Sequence, residues 1–486
     1  MLLVAIVCVP LAAGLFGAAL PWRRPVGWTM VAANATVFGL GIATAAHATH
    51  RHVTSGLDGA LRADALSAFM VVVISVIALL ASVQSIRYLE VEIASGEHGA
   101  RHASRYTFLV QVFVACMLAA VLSANLGAVW VAVEATTIAT TFLVGHRGSD
   151  KALEASWKYV LICSVGIALA FLGTVLVYFA ALHAPGHPRG ASVLDWTSLM
   201  SASHHLDPGV MRLAMALIVL GYGTKVGLAP LHSWLPDAHS QAPAPVSALM
   251  SGVLLAVAFY ALLRFKAVAD GALGMEFTRM LLVIVGLVSL LVAASLLLTQ
   301  RDLKRMLAYS SIEHMGLIAL GAAAGTTLAI AAVLLHILGH GLAKAVLFLA
   351  SGEIVVVEGT SEIERVPALL ARRPLLGGIL GFGLVAILGL PPFSLFVSEL
   401  GMIRGEVSVG LGWAAALSLV AIAVIFVAVM AHGRHLLLGG RDDAPSATSR
   451  LVGIPLVGGL VACAFFGLSA WPLQSLLDAA ARVVVR

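Results

Sequence analysis

The run Ala214-Met-Ala-Leu-Ile-Val-Leu-Gly-Tyr-Gly-Thr-Lys225-Val-Gly-Leu-Ala-Pro230 decides how the whole chain is read. It belongs to an apolar stretch of membrane-spanning length, about 20 residues, yet it holds a lysine followed at once by a Gly-Leu-Ala-Pro break. A charge at the centre of a membrane helix costs about 2.5–3.5 kcal/mol on the insertion scale. Proline removes a backbone donor and clashes with the preceding turn, leaving carbonyls that only a polar interior or water can satisfy. One such break could be an ordinary proline kink. A second, Gly389-Leu-Pro-Pro-Phe393, interrupts another apolar run about 160 residues later, and paired breaks in corresponding positions point to a transport pathway at mid-membrane depth.

Outward from these breaks the chain is almost entirely apolar. Of its 486 residues 60% are hydrophobic and 11% charged, against about 25% charged in a soluble domain. Apolar runs fall near 2–20, 26–47, 65–86, 106–124, 126–145, 156–182, 210–229, 243–263, 279–299, 306–323, 326–350, 374–399, 410–431 and 451–470. They predict an all-α polytopic membrane protein of about fourteen helices, with thin separators at Asn125 and Gly325. The breaks make helices 7 and 12 discontinuous and divide the chain into residues 1–105 (helices 1–3), a first five-helix repeat at 106–264, a second at 265–432, and 433–486, a last helix and short tail. Five is odd, so the two repeats enter the membrane in opposite orientations.

Several functions are excluded at once. There is no room for a soluble catalytic or nucleotide-binding domain, and the composition excludes disorder. The net charge of +5 is scattered among loops, so nucleic-acid binding has no support. Cys8, Cys116, Cys163 and Cys463 lie in apolar runs without metal spacing and read as packing residues; no cofactor, metal or redox centre is expected in this chain. Leu2–Leu20 lacks a basic leader and reads as a first span. Counted over alternate loops, seventeen Lys and Arg fall on one side and ten on the other, with Lys225 and Lys344 inside spans. The positive-inside rule then puts both termini outside.

Ionisable groups within spans are functional candidates by default. The ones singled out are Glu134, Lys225, His336, His340, Lys344 and Glu399. His336, His340 and Lys344 recur every four residues, so they share one helix face and could pass protons between sites of similar affinity. Glu134 and Lys225 read as an ion pair, either a working one or a static bridge. Asp302, Lys304 and Arg305, with Glu313 and His314, are either an access route or a charged loop. Glu154 and Lys158 read as a surface pair. His47, His50, His52, His98, His102, His183, His187, His204 and His205 read as solvated loop residues.

The segments Gly227-Leu-Ala-Pro-Leu-His-Ser-Trp-Leu-Pro-Asp-Ala-His-Ser-Gln-Ala-Pro243 and Lys304-Arg-Met-Leu-Ala-Tyr-Ser-Ser-Ile-Glu-His-Met-Gly316 resemble the antiporter-like, proton-conducting subunits of respiratory complex I and of Mrp-type antiporters. Val131–Gly145, Ala155–Val160 and Gly389–Glu399 resemble the hydrogenase-4 component F group, from formate hydrogenlyase-type membrane-bound nickel–iron hydrogenases; the similarity covers about residues 60–435. The resemblance implies a non-redox subunit of an oxidoreductase or translocase complex in a bacterial inner membrane, moving protons in response to electron transfer elsewhere. Its implied partners are other membrane subunits and, through them, iron–sulfur and nickel–iron or quinone subunits. Glu134, Lys225, the His336/His340 row with Lys344, and Glu399 match the family's pathway positions. His232, Asp237, His239, Ser247, Ser251, Lys304, Glu313 and His314 are candidates for proton access or bridging. The eighth span departs from the pattern, because Val246–Leu263 lacks the family's central lysine or histidine; water, Ser247 or Ser251 would have to bridge it. Two other readings stay open, a subunit of a multi-subunit Na⁺ or K⁺/H⁺ antiporter and a non-conducting membrane anchor.

Overall fold

In the computed structural model, which describes residues 1–50, 52–185, 190–438 and 450–485, the fourteen apolar runs are helical apart from the breaks in the seventh and twelfth. The order is α1 (Leu2–Ala19), α2 (Arg24–Thr49), α3 (Ala65–Ala94), α4 (Ala100–Leu122), α5 (Leu126–Val144), α6 (Asp150–Leu182), α7 (Trp196–Ala202), α8 (Pro208–Val226), α9 (Trp234–Gln241), α10 (Ala244–Leu249), α11 (Leu255–Leu273), α12 (Met275–Leu297), α13 (Leu303–Ala324), α14 (Thr327–Glu358), α15 (Leu369–Arg372), α16 (Pro374–Ile387), α17 (Ser394–Ser408), α18 (Gly412–Leu438), α19 (Arg450–Leu468) and α20 (Trp471–Val484). A two-stranded hairpin, β1 (Thr54–Gly56) and β2 (Leu61–Ala63), joins α2 to α3. Arg51, His187, Arg189, Arg441 and Arg486, used above in the charge count and the loop histidines, lie outside the described residues.

Among the described residues, eleven helices are long and apolar enough to cross a membrane by themselves, or up to twelve when a bent pair counts as one span. The expected fourteen is not reached on that criterion, for physical reasons. α13 carries Tyr309, Ser310, Ser311, Glu313 and His314; α16 and α17 are halves of one broken run; and α19 bends by 74° into α20. The expected short tail is α20, whose Leu476, Leu477, Ala480, Ala481 and Val484 are buried as it packs against α3 and α14.

The thin separators hold because side chains cap the helices. The Asn125 carboxamide accepts from Gly127 N at 3.0 Å, and Thr326 Oγ1 accepts from Ala329 N at 3.2 Å, satisfying donors that a helix start leaves free. Contacts between loops follow the alternation of spans. Leu61 pairs with Ser123 and Asn125 with Asp195 on one face, while Asp302 pairs with Glu362 on the other.

α11 and α14 form the centre and are enclosed over nearly their whole length. Trp157, Leu161 and Val165 of α6, Ile284 and Leu291 of α12, and Val420 and Val427 of α18 point outward, as expected of surfaces facing lipid or apolar partners. Cys163 and Cys463 are buried packing residues, but Cys8 is exposed on the outer side of α1.

Both sequence breaks are breaks in the structure. α8 ends at Gly227 (φ 85°) and α16 is followed by Gly389 (φ 61°), each before a cis X-Pro bond, Ala229-Pro230 and Pro391-Pro392. Ser289 Oγ accepts from Ala229 N at 2.9 Å, so a freed donor is satisfied by the neighbouring α12. Gly389 is required twice over: its φ is unfavourable to a side chain, and a Cβ there would lie 2.3 Å from Glu399 Oε2. Between α10 and α11, Met250–Leu254 form a π-helical turn, a feature that often marks functional sites.

Candidate functional site

The first half of the site is built where α5, α6 and α8 meet. Lys225, at the last turn of α8 before the break, has no exposed surface. Its Nζ donates to Thr137 Oγ1 at 2.8 Å and to Tyr159 OH at 2.6 Å, and lies 4.8 Å from the centre of the Tyr159 ring. Thr137 Oγ1 in turn donates to Glu134 Oε2 at 3.1 Å, and Ser164 Oγ donates to Oε1 at 3.4 Å. The expected direct Glu134–Lys225 pair is therefore corrected to a bridged one. The Thr137 hydroxyl sits between the charges because Glu134 and Thr137, three residues apart, share a face of α5, while Lys225 is held toward Tyr159.

The second half lies among α13, α14 and α17. Ser398 Oγ donates to Leu395 O at 2.9 Å, so its lone pairs face His336 Nδ1, 2.9 Å away. A neutral His336 then donates from Nδ1 and accepts at Nε2, which is 3.1 Å from His314 Nδ1. The His314 ring is centred 5.1 Å from His336 and 5.0 Å from His340, whereas the His336 and His340 rings are parallel and 6.5 Å apart. The row on α14 is thus a triangle closed by His314. His314, grouped in sequence with the inner-surface charges, lies at mid-helix in α13, which begins only at Leu303. Glu399, half-buried, brings a carboxylate oxygen within 4.8 Å of ligand atoms of His314 and His336. Lys344 Nζ donates to Leu307 O at 2.7 Å and to Ser310 Oγ, and interacts electrostatically with Glu313.

Between the halves stands His239, the buried histidine of α9. Its ring stacks on Phe348 at 5.0 Å and it lies within electrostatic reach of Lys304, Lys344 and His340. Lys304 Nζ donates to Ser240 O at 3.1 Å and Ala242 O at 2.6 Å, the carbonyls at the end of α9, where a cation is favoured. The two serines named as bridges are engaged. Ser247 Oγ donates to His239 O at 2.9 Å, and Ser251 Oγ, in the π turn, is 2.8 Å from Ser311 Oγ. The eighth span itself brings no ionisable group here, and its Ser247 is tied to the backbone of His239 rather than to the imidazole. Asp237, by contrast, lies at the rim with Arg305 (2.6 Å) and Lys158 (3.2 Å), and Lys158 also pairs with Glu154 at 2.6 Å. His232 is part-buried in the break itself.

Residues 123–425 match the family described as NADH:quinone oxidoreductase/Mrp antiporter, transmembrane. The chain belongs to this family. Among its relatives is a hydrogenase-4 component F homolog of Methylacidiphilum infernorum, 39% identical over 336 residues, which cover 69% of this chain and 70% of the relative. Hydrogenase-4 component B of Escherichia coli is 31% identical over 354 residues, 70% of this chain but half of that protein. In fold the chain is similar to a chain of the archaeal membrane-bound sulfane sulfur reductase (TM-score 0.88, 24% identity, covering 100% of this chain and 98% of that one). It is also similar to one of the Mrp complex from Dietzia sp. DQ12-45-1b (0.85, 22%, covering 99% and 96%).

Reading this antiporter-family chain by sequence missed Thr137, Tyr159, Ser310 and Ser398 as partners of the charged groups. All four had a signal, since Thr137 lies in Val131–Gly145, Tyr159 in Ala155–Val160, Ser310 in Lys304–Gly316 and Ser398 in Gly389–Glu399, the segments that carry the resemblance. The loop histidines also need correction. His98 and His102 are not simply solvated: α3, α4 and the turn after α5 converge, so the two rings stack at 3.9 Å and lie against buried His146.

Proposed function

We propose that this chain is the proton-translocating, antiporter-like membrane subunit of a redox-driven complex of membrane-bound hydrogenase or complex I type. Electron transfer in iron–sulfur and nickel–iron or quinone subunits drives proton movement here, and the chain brings no cofactor of its own. Its setting is a bacterial inner membrane, with both termini on the periplasmic side, and its working units are the five-helix repeats 106–264 and 265–432.

One observation carries the reading. His239, His340 and His314 are fully buried, yet both ring nitrogens of His239 and of His340 have no protein hydrogen-bond partner. A buried polar atom left unpaired costs about 1–3 kcal/mol, so imidazoles in this number favour a polar, hydrated interior over dry packing. In this reading they stand between Lys225 and Glu399; the support is that His239 is within electrostatic reach of Lys344 and His340 and that His314 and His336 lie close to Glu399. Glu134, Thr137 and Lys225 form the coupling element, in which a change at Glu134 alters how firmly Lys225 holds its proton. His239 replaces the absent eighth-span base, Lys344, His340, His314 and His336 relay, and Glu399 exchanges with the outside.

The test is proton uptake by sealed vesicles holding the native complex, driven by its own redox reaction. Changing His340 to Ala in a normally assembled complex should abolish pumping while leaving electron transfer detectable. Undiminished pumping would overturn the relay. A Na⁺- or K⁺-driven proton flux without any redox partner would instead favour the cation antiporter.

A further inference from the structure

Away from the pathway, at the membrane end where α3 turns into α4, four side chains from four segments converge. Glu92 lies in the last turns of α3, His98 in the following loop, His102 in the first turn of α4 and His146 in the turn after α5. His98 Nδ1 and His146 Nε2 each stand 3.1 Å from a different oxygen of the Glu92 carboxylate, to which Tyr88 OH also donates at 3.0 Å. His102 Nε2 donates to the His146 carbonyl at 3.0 Å, leaving Nδ1 for another partner. One ligand atom from each of His98, His102 and His146 falls within 4.8 Å of the others.

The carboxylate is the telling group. The Glu92 side chain is 3% exposed, and among the described residues its only ion-pair partners are imidazoles. A buried carboxylate requires a compensating charge, and here no lysine or arginine supplies it directly. Three imidazoles and a carboxylate are the ligand types of a tetrahedral Zn²⁺ site, whose bonds of about 2.0–2.1 Å set ligand atoms about 3.4 Å apart. His98 and His146 approach different oxygens of Glu92 at 3.1 Å, so a carboxylate binding through one oxygen comes near that edge with one imidazole and has to turn toward the other. His102 has to close in by rotating its ring, and the His98 side chain, 21% exposed, opens the site to water.

We propose that Glu92, His98, His102 and His146 form a binding site for a divalent transition-metal ion of the Zn²⁺ class, distinct from the mid-membrane pathway. The ion ties the end of α3 to the start of α4 and to the turn after α5, and neutralises Glu92. The second cluster with metal-like spacing, His314, His336 and Glu399, serves as the internal comparison, because its members belong to the proposed relay.

The test uses the full chain in its purified complex, stripped with a chelator and titrated with Co²⁺. The expected result is a visible absorption typical of tetrahedral Co²⁺, saturating at one ion per chain and displaced by Zn²⁺. His146→Asn and His98→Asn should each weaken Co²⁺ binding by more than about tenfold, and His98, at the rim, can be changed with little risk to the fold. His336→Asn should leave the spectrum intact. No displaceable spectrum, a spectrum surviving both His98→Asn and His146→Asn, or one lost with His336→Asn would each overturn the proposal. The outcome is independent of proton pumping.

Discussion

Two buried cations in this protein meet their carboxylates in opposite ways. At one membrane end, Arg264 of α11 makes two hydrogen bonds of 2.7 Å to both oxygens of Asp64, the residue that caps α3. It is also bonded to Ser67 Oγ at 3.0 Å and Tyr260 OH at 3.1 Å, and it lies over the Trp196 ring at 4.6 Å. Lys225 has no such direct partner, and the Thr137 hydroxyl separates it from Glu134. A bidentate guanidinium is always charged and geometrically locked, so the first site holds helices together. An ammonium that reaches its carboxylate only through a hydroxyl can lose its proton, and small movements of Thr137 change how strongly the charges interact. The difference separates a fastening from a switch.

The strongest way to break this comparison is at the fastening. Asp64→Asn leaves Arg264 buried without its counter-charge, and breaking a buried pair costs about 3–5 kcal/mol. Thermal unfolding of the purified chain should shift down accordingly, while each complex that assembles should still pump. The pair also sets a pH dependence. Burial pushes the Asp64 carboxyl up, but the Arg264 guanidinium and the Ser67 N–H more than offset it and hold it below its usual 3.8. Its contribution is therefore whole above that value and lost only as pH falls through the lower folded one, and Asp64→Asn should flatten the acid limb of stability.

Next in size is the switch. Thr137→Val keeps the shape of the side chain and removes the hydroxyl bridge; hydrogen bonds to charged groups are worth about 1.5–3 kcal/mol. Pumping per electron should fall about tenfold with little change in assembly, and an unchanged ratio would mean that Glu134 and Lys225 communicate by another route. A smaller effect is expected at Ser398. Ser398→Ala removes only the acceptor that fixes the His336 tautomer, a bond worth about 1 kcal/mol, so pumping should slow several-fold and not vanish.

Much of this architecture is legible in the residue order, because membrane helices announce themselves by length and composition. The breaks at Gly227 and Gly389 and the separators at Asn125 and Gly325 are local signals and lie where they were expected, with Asn125 and Thr326 found to cap the helices that follow. Span number was less secure, since α13 is polar along much of its length and α16–α17 is broken. What could not be read were meetings between distant segments. Nothing local shows that Tyr159 of α6 and Thr137 of α5 would share Lys225, that His314 would close the triangle with His336 and His340, or that Glu92, His98, His102 and His146 would converge. The one near miss was Glu134 and Thr137, whose three-residue spacing already put the hydroxyl beside the carboxylate.

The most direct test of the central claim is Lys225→Arg, measured as proton uptake per electron in sealed vesicles with assembly verified. Arginine preserves the positive charge and can still reach Thr137 and Tyr159, but it does not give up its proton. If Lys225 works by releasing and regaining a proton, pumping is lost while the complex remains intact. Full pumping with arginine in place would show that only the charge matters, and would contradict the account.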